Sequence, residues 1–250
     1  NAWGGLQKGV YYPWDQDELV AHKMLEITGC QRYKAPLVTE SGALHVDGAG
    51  TLLATKQSIL NPNRNPDLTL AQIEQYLLDY LNVQHIIWID EGVVADETDG
   101  HIDNLCCFVR PAEVVLTWTD DQSDPQYDVS HAAYEVLRNA RDAQGRPLTV
   151  HKLHQPGPLY MTEAEANAVL NNPHAAERKA GERLAGSYVN FYVANDVVIV
   201  PTFDDPHDAA AQQTLAALFP DRTIQPIMSR EILLGGGNIH CITQQQPAPR

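Results

Sequence analysis

The sequence has 250 residues, of which 44% are hydrophobic and 20% are charged, and this composition is typical of a globular protein rather than of a disordered chain. The 32 acidic residues outnumber the 17 basic ones and give a formal net charge of −15. A field of this sign repels phosphate backbones, which argues against a nucleic-acid partner, and it attracts small cations. The sequence contains no apolar run of about 18 residues, so it predicts no membrane partner.

Four cysteines are too few for a disulfide framework in a chain of this length. Cys106 and Cys107 are adjacent and would point to opposite faces of a strand, so we expect both to be small buried hydrophobic residues, and Cys30 as well. Cys241 differs because it lies in a polar, glycine-rich segment. This cysteine usage favours a reducing compartment and a cytoplasmic location.

Apolar residues at helical spacing predict four helices. Their predicted ranges are 15–30, 70–81, a segment that begins at Ser130 and ends before Gly145 and Pro147, and 208–219. Thr69 is expected to cap the second helix, and Ser130 the third.

Short apolar runs between these helices predict strands. The predicted strands are 51–55, 86–89, 114–118, 150–153, 188–193, 197–201 and 223–227. Turn-forming pairs, such as Asp47 with Gly48 and Asn195 with Asp196, separate runs that would pair as hairpins.

The order hairpin, helix, strand recurs along the chain. Copies are predicted over residues 37–90, 101–153 and 187–227, and a fourth copy is expected to begin at Leu233. The first helix, with a strand around residues 32–38, would be the tail of an earlier copy. Because one ββαβ unit cannot bury its apolar face alone, the repeat predicts closure of several units into a ring.

Three segments carry the residues capable of chemistry: 39–48, 98–105 and 235–241. Their candidate residues are Glu40, His45, Asp47, Asp99, His101, Asp103, His240 and Cys241. The alternative interpretation is that the carboxylates form turns and the histidines are ordinary loop residues. The remaining histidines have no such neighbours and are expected to be structural: His22, His85, His131, His151, His154, His174 and His207.

Two mechanisms fit these segments. His45 with Asp47, and His101 with Asp103, each share one strand face and could bind a metal, although zinc sites usually show denser ligand spacing. The second mechanism is nucleophilic catalysis, in which a Cys241 thiolate attacks, a histidine moves protons and a carboxylate orients the histidine. Glycines beside the nucleophile would make room for a ligand.

Four motifs together resemble a known family. They are LNPNRNP (60–66), TDGHIDN (98–104), SYVNFYVAN (187–195) and LLGGGNIHCITQQQP (233–247). They look like the agmatine deiminases of the guanidine-modifying, or pentein, superfamily, related to the bacterial peptidylarginine deiminases. The resemblance implies a five-bladed α/β propeller of ββαβ units. Residues 1–250 would then form a single catalytic domain that lacks the N-terminal blade, because the family's tryptophan-arginine-aspartate motif has no match and Trp3 would fall after it.

The resemblance also implies an activity and roles for named residues. The family hydrolyses agmatine to N-carbamoylputrescine and ammonia in polyamine biosynthesis, through a covalent thiouronium intermediate and without a metal or organic cofactor. By position, Cys241 matches the nucleophile and His101 the general acid/base. Asp103 and Glu40 match the carboxylates that bind the guanidinium, and Gly236 is placed with the substrate-binding residues. The family likeness further predicts a homo-oligomer.

Other functions stay open on the sequence. The substrate could be another guanidine, such as peptidyl- or free arginine, or the protein could be a non-catalytic propeller that binds polyamines. Asn63, Arg64 and the glutamines at 244–246 are candidates for supporting the site, with no role assigned. Neighbouring carboxylates would raise the pKa of the Cys241 thiol, whereas a charged His101 or a cationic substrate would lower it.

Overall fold

The computed structural model describes residues 9, 12–170 and 172–246, which form a mixed α/β fold. The helices are α1 (Asp17–Thr28), α2 (Lys56–Ile59), α3 (Leu70–Leu81), α4 (Ile102–Leu105), α5 (Gln126–Asn139), α6 (Glu163–Ala168), α7 (Asp208–Leu218) and α8 (Arg230–Leu233). The strands are β1 (His45–Val46), β2 (Thr51–Thr55), β3 (His85–Ile89), β4 (Cys106–Arg110), β5 (Glu113–Trp118), β6 (Thr149–His154), β7 (Leu159–Tyr160), β8 (Arg183–Leu184), β9 (Tyr192–Val193), β10 (Val197–Thr202) and β11 (Thr223–Met228). Single 3-10 turns occupy Ser41–Ala43 and His240–Ile242.

The predicted repeat is confirmed as three ββαβ units, each with its own three-stranded sheet. In the first unit, β1 pairs antiparallel with β2, and α3 then returns the chain so that β3 lies parallel to β2. The sheets β4–β5–β6 and β9–β10–β11 repeat this topology, with α5 and α7 as the crossover helices. A helix is the expected connection between parallel strands because the chain must return to the same end of the sheet.

Each unit buries its central strand. All five residues of β2 are buried, and Leu52 packs in a cluster with Ile73 and Leu77 of α3. The helix α3 begins at the predicted cap: the Thr69 hydroxyl accepts from the Gln72 backbone N–H, and the Gln72 side chain accepts from the Thr69 backbone N–H, which forms a capping box. This match between local signals and packing explains why the predicted bounds of this helix are correct.

A short turn precedes the first strand of each unit, and these turns lie together. The Ser41–Ala43 turn contacts both α4, which leads into β4, and the His240–Ile242 turn near the end of the chain. A turn at Tyr188 and Val189 precedes β9 in the same way. The backbone therefore brings the starts of separate units to one place.

Several local predictions are wrong, for identifiable reasons. Helix α5 begins four residues before Ser130, because the Asp124 carboxylate accepts the Gln126 backbone N–H at 2.8 Å and Pro125 suits a first turn. Ser130 is instead buried within the helix and accepts from the Gln126 side chain. The helix ends at Asn139, before the predicted Gly145.

The strand predictions fail where the chain enters the cluster of turns. Only Tyr192 and Val193 of the predicted strand 188–193 pair with a neighbour, and residues 32–38 form no strand. The predicted fourth copy begins at the last residue of helix α8 and contributes the His240–Ile242 turn, with no strand among residues 233–246. Trp3, used in the argument about the missing blade, lies outside the described residues.

The cysteine predictions are partly confirmed. Cys106 and Cys107 are fully buried, whereas Cys30 is exposed, contrary to expectation. All four cysteines are free thiols. In the described part of the chain, every helix is too short or too polar to cross a bilayer.

Candidate active site

A cleft of about 720 Å³ opens where the turns meet. Three of the four residues predicted to be catalytic line it: Glu40, His101 and Cys241. The fourth, Asp103, is buried in α4, and the Cys241 Sγ lies 3.5 Å from its Oδ2. The four residues come from three separate turns, so the fold assembles them from distant parts of the sequence.

The two oxygens of the Asp103 carboxylate have different surroundings. Its Oδ2 accepts from the His240 ring Nδ1 at 2.8 Å as well as from the Cys241 thiol. Its Oδ1 is buried and has no hydrogen-bond partner among the described residues. Burial alone would raise the pKa of Asp103, but the hydrogen bond from His240 and the charge of His101 hold that pKa below its usual value. An ionised carboxylate with an unoccupied buried oxygen is suited to a cationic donor.

The Cys241 thiol is protonated in this environment. Burial raises its pKa well above the usual value, and the neighbouring Asp103 charge raises it further. The Asn190 side-chain N–H, 3.4 Å from Sγ, and the Asn238 backbone N–H oppose this rise without cancelling it. The sequence left the direction of the Cys241 pKa shift open. In the structure, burial and the Asp103 carboxylate outweigh the two donors that lower this pKa.

His101 and Glu40 form a second ionisable pair. The His101 Nε2 lies 3.2 Å from a Glu40 carboxylate oxygen. Burial alone would lower the pKa of His101, but the bond to Glu40 and the charges of Asp103 and Asp96 raise it above its usual value. The pKa of Glu40 is lowered to about 2, because the His101 bond and the Arg64 charge outweigh the effect of burial. The pair therefore consists of an ionised carboxylate and an imidazole whose charged form that carboxylate stabilises.

Arg64 is the buried cation that organises this pair. Its side chain is fully buried, its Nε donates to Glu40 at 2.8 Å, and one terminal nitrogen donates to Asp99 at 2.9 Å. The other terminal nitrogen donates to the Thr98 carbonyl at 2.7 Å and lies 3.4 Å from the His101 ring. Arg64 thus links the segment that carries Glu40 to the segment that carries His101.

Asn65, the next residue, fixes the approach of the chain to Glu40. Its amide oxygen accepts the Val38 backbone N–H at 2.9 Å, and its amide nitrogen donates to the Val38 carbonyl at 2.8 Å. The motif LNPNRNP, which contributed to the family resemblance without an assigned role, therefore positions Glu40 through two neighbouring side chains.

Asp96 organises the segment around His101 and was missed by the sequence analysis. Its carboxylate accepts from the Thr98 backbone and hydroxyl, from the His101 backbone N–H at 3.1 Å and from the Asn104 side chain at 2.9 Å. The segment then turns through Asp99 and Gly100, whose φ angles are +62° and +76°. An aspartate placed two residues before a threonine is a turn signal that could have identified this contact.

Gly42 lies between the two ionisable groups of the site. A Cβ atom at this position would lie 2.7 Å from the His101 Nδ1 and 2.8 Å from the Asp103 Oδ2. Both distances are shorter than any ordinary contact, so the residue that follows Ser41 must be glycine for the turn to approach the site so closely.

We expect Gly42→Ala to displace His101 or Asp103 and to lower turnover by about 10²-fold, since a misplacement near 1 Å has effects of this size. Steady-state kinetics would measure the loss. Ser41→Ala is the matched control, because it changes the preceding, exposed residue of the same turn. Equal activity of Gly42→Ala and wild type would contradict the assigned close approach.

The other sequence candidates have local roles. His45 accepts the Phe108 backbone N–H at 3.2 Å, and burial, with the nearby His240, lowers its pKa to about 4. Asp47 accepts the Ala49 and Thr51 backbone N–H groups and shapes a turn. Asp99 pairs with Arg64. The metal alternative therefore gains no support from the His45 and Asp47 pair, and among the residues described no group of three or more His, Cys, Asp or Glu side chains could hold a metal.

Gly236 lies elsewhere than expected. It is buried with a φ of +89°, and it lines a separate small cavity with Asp96 and Asn104 rather than the cleft. The glycines before Cys241 therefore lie in the turn between α8 and His240, and the close approach to His101 and Asp103 is made by Gly42. The histidines expected to be structural do not line the cleft.

The fold is mixed α/β, and the cleft brings a cysteine, a histidine and carboxylates together. The model of the Porphyromonas-type peptidyl-arginine deiminase family matches residues 1–247, and the chain belongs to this family. A curated relative from Shewanella frigidimarina, named "Putative agmatine deiminase", is 59% identical over 248 residues. That alignment covers 99% of this chain and 67% of the relative, so the chain spans about two thirds of the relative's length.

Solved structures agree with this assignment. The agmatine deiminase of Enterococcus faecalis, described as catalysing its reaction, superimposes with a TM-score of 0.94 at 43% identity and covers 99% of this chain and 68% of that one. A Cys→Ser variant of the agmatine deiminase of C. jejuni with substrate bound gives a TM-score of 0.80 at 26% identity, covering 96% of this chain and 64% of that one. The resemblance predicted from the motifs is confirmed at the level of family and enzyme class.

Proposed function

We propose that this protein deiminates agmatine to N-carbamoylputrescine and ammonia, with Cys241 as the nucleophile. The observation that carries the proposal is the Asp103 carboxylate, whose Oδ1 is buried without a partner among the described residues while its Oδ2 lies 3.5 Å from the Cys241 Sγ. A guanidinium that donates to Oδ1 would bring its carbon next to the thiol. The agmatine deiminases from Enterococcus faecalis and C. jejuni support agmatine as the substrate.

The first half of the reaction forms a covalent intermediate. Binding of the substrate cation beside Sγ lowers the pKa of the thiol, which loses its proton to solvent. The thiolate attacks the guanidinium carbon and forms a neutral tetrahedral adduct. Charged His101 protonates one amino group of the adduct, the C–N bond breaks, ammonia leaves, and a thiouronium cation remains on Cys241.

The second half restores the enzyme. His101, now neutral, removes a proton from water, and the hydroxide adds to the thiouronium carbon. The C–S bond then breaks and Cys241 leaves as a thiolate, while the hydroxyl of the adduct loses its proton to solvent and becomes the carbonyl of the ureido product. The thiolate regains from solvent the proton that it lost in the first half. Glu40 accepts from the substrate guanidinium and holds the His101 ring during both steps.

We also propose that the three observed units belong to a five-bladed ring, as the ββαβ repeat and the family likeness suggest. We assign the reaction to polyamine biosynthesis in a reducing compartment. A free thiol at Cys241 is compatible with such a compartment.

A second candidate is deimination of peptidyl-arginine, which the description of the matching family favours. Ureido-product formation should be measured with agmatine, free arginine and a peptidyl-arginine, and ammonia release should be measured in parallel. Turnover of agmatine well above the others supports the proposal. Preferential turnover of the peptide supports the second candidate, and inactivity of the folded chain on all three guanidines would overturn both for this chain.

The pairing of His101 with Glu40 predicts a pH effect. Because the pKa of His101 is raised above 6.5, the ring is charged below that raised value and loses its proton as pH rises through it. Glu40→Gln removes a cause of the raised pKa, so we expect the His101 titration to move to lower pH. The ring-proton NMR resonance of His101 would follow this without requiring activity. Glu74→Gln is the control, because Glu74 bonds to Trp88 and does not line the cleft, and an equal shift in both variants would contradict the pairing.

A further inference from the structure

His240 lies behind the site rather than in it. It does not line the 720 Å³ cleft, and it faces a second cavity of about 330 Å³ together with Phe108 and Phe191. It is buried, and its backbone N–H donates to the Asn190 amide oxygen at 2.9 Å. His240 takes part in no step of the proposed reaction.

The His240 ring is held between two side chains. The Asp103 carboxylate can only accept, so the His240 Nδ1 carries a proton and donates to the Asp103 Oδ2 at 2.8 Å. On the other side of the ring, the Gln245 side-chain amide lies 3.3 Å from Nε2. Asp103 and Gln245 therefore fix the orientation of the ring, with the Nδ1–H directed at the carboxylate.

This bond determines how the Asp103 carboxylate is presented. A carboxylate can rotate about its own axis and exchange its oxygens, and a strong donor on one oxygen prevents that exchange. With Oδ2 held by His240, Oδ1 remains the buried oxygen without a partner among the described residues.

We propose that His240 is a positioning residue that fixes Asp103 so that Oδ1 receives a guanidinium or amidinium cation beside Cys241. The choice of a guanidine as the natural ligand rests on the proposed function. The positioning of Asp103 by His240 applies to any planar cation of this kind. It therefore predicts a preference of Cys241 for cationic electrophiles even in the absence of turnover.

A matched pair of variants tests this role. His240→Asn places an amide nitrogen where Nδ1 stands and can keep the bond to Asp103, whereas His240→Gln reaches the Nε2 position and loses it. The readout is the rate of Cys241 alkylation by 2-chloroacetamidine, a planar cation, divided by the rate with neutral iodoacetamide. We expect His240→Gln to lower this ratio by about tenfold or more and His240→Asn to stay within about threefold of wild type.

Kinetics with agmatine give the second readout. His240→Gln should lower kcat/KM by about 10²-fold, and His240→Asn should recover most of that loss. His131→Gln is the control, since His131 also bonds through Nδ1, to the Tyr127 carbonyl, and does not line the cleft. An unchanged alkylation ratio in His240→Gln, an equal loss in both His240 variants, or failure of both to fold would overturn the positioning role. If wild type alkylates with the cationic preference but does not turn over agmatine, the proposed function fails while the role of His240 stands.

Discussion

Replacement of Cys241 by serine is expected to abolish agmatine turnover, with a loss of about 10⁴-fold or more, as is found when a covalent nucleophile is removed. Among the described residues, a serine hydroxyl at this position would have as neighbours the Asn190 amide and the Asp103 carboxylate, which is a weak base because its partners hold its pKa below the usual value. The variant should nevertheless fold, because Cys241 is only partly buried and the change in volume is small.

Two measurements separate a nucleophile from a binding residue. Wild-type protein quenched by acid during turnover should carry the amidino group of the substrate on the peptide that contains Cys241, and Cys241→Ser should not. Cys30→Ser is the control, since Cys30 is an exposed free thiol that does not line the cleft. Retention of substantial turnover in Cys241→Ser, or an equal loss in Cys30→Ser, would reject the covalent mechanism.

The sequence predicts the repeat well because its signals are local. Hydrophobic spacing and turn residues lie within each unit, and packing agrees with them, as in the capping box of Thr69 and the buried strand β2. The prediction fails at residues 188–193, where an aromatic and β-branched run has the composition of a strand. Its first half instead turns so that Asn190 can bond to Cys241 and to the His240 backbone.

The sequence predicts which residues form the candidate site, but it does not predict the contacts between them. Cys241, His101 and Glu40 could be named from motifs, yet nothing in the spacing of Glu40 and Arg64 indicates that they form a buried ion pair. The protonation of Cys241 was open for the same reason, because the pKa of a thiol depends on burial and on charges contributed by distant segments. The two glycines show that nearness in sequence is a poor guide to the site. Gly236 is close to Cys241 in sequence but supports a turn. Gly42, about 200 residues away, makes the close approach to His101 and Asp103.

Replacement of Arg64 is expected to have the second large effect, and it should act on folding as well as on turnover. Arg64→Met removes a fully buried guanidinium and leaves Glu40 and the Thr98 carbonyl without their donor. Removing one partner of a buried ion pair costs about 3–5 kcal/mol, so we expect the free energy of unfolding to fall by about this amount. Urea denaturation monitored by tryptophan fluorescence would measure it.

The expected loss of turnover in Arg64→Met follows from the same contacts, and it should exceed the loss explained by unfolded protein. Without the Arg64 charge the pKa of Glu40 rises from about 2, and one of the contacts that hold Glu40 against His101 is lost, so kcat should fall by about 10²-fold in the folded fraction. Arg64→Lys should recover part of the stability but little of the activity, because an ammonium group cannot reach Glu40, Asp99 and the Thr98 carbonyl with fixed geometry.

Lys34→Met removes an equal charge from the exposed lining of the cleft and is the control, with an expected change in the free energy of unfolding within about 0.5 kcal/mol. If Arg64→Met were as stable and as active as Lys34→Met, the buried network would not be what holds Glu40 against His101, and the low pKa of Glu40 would need another cause.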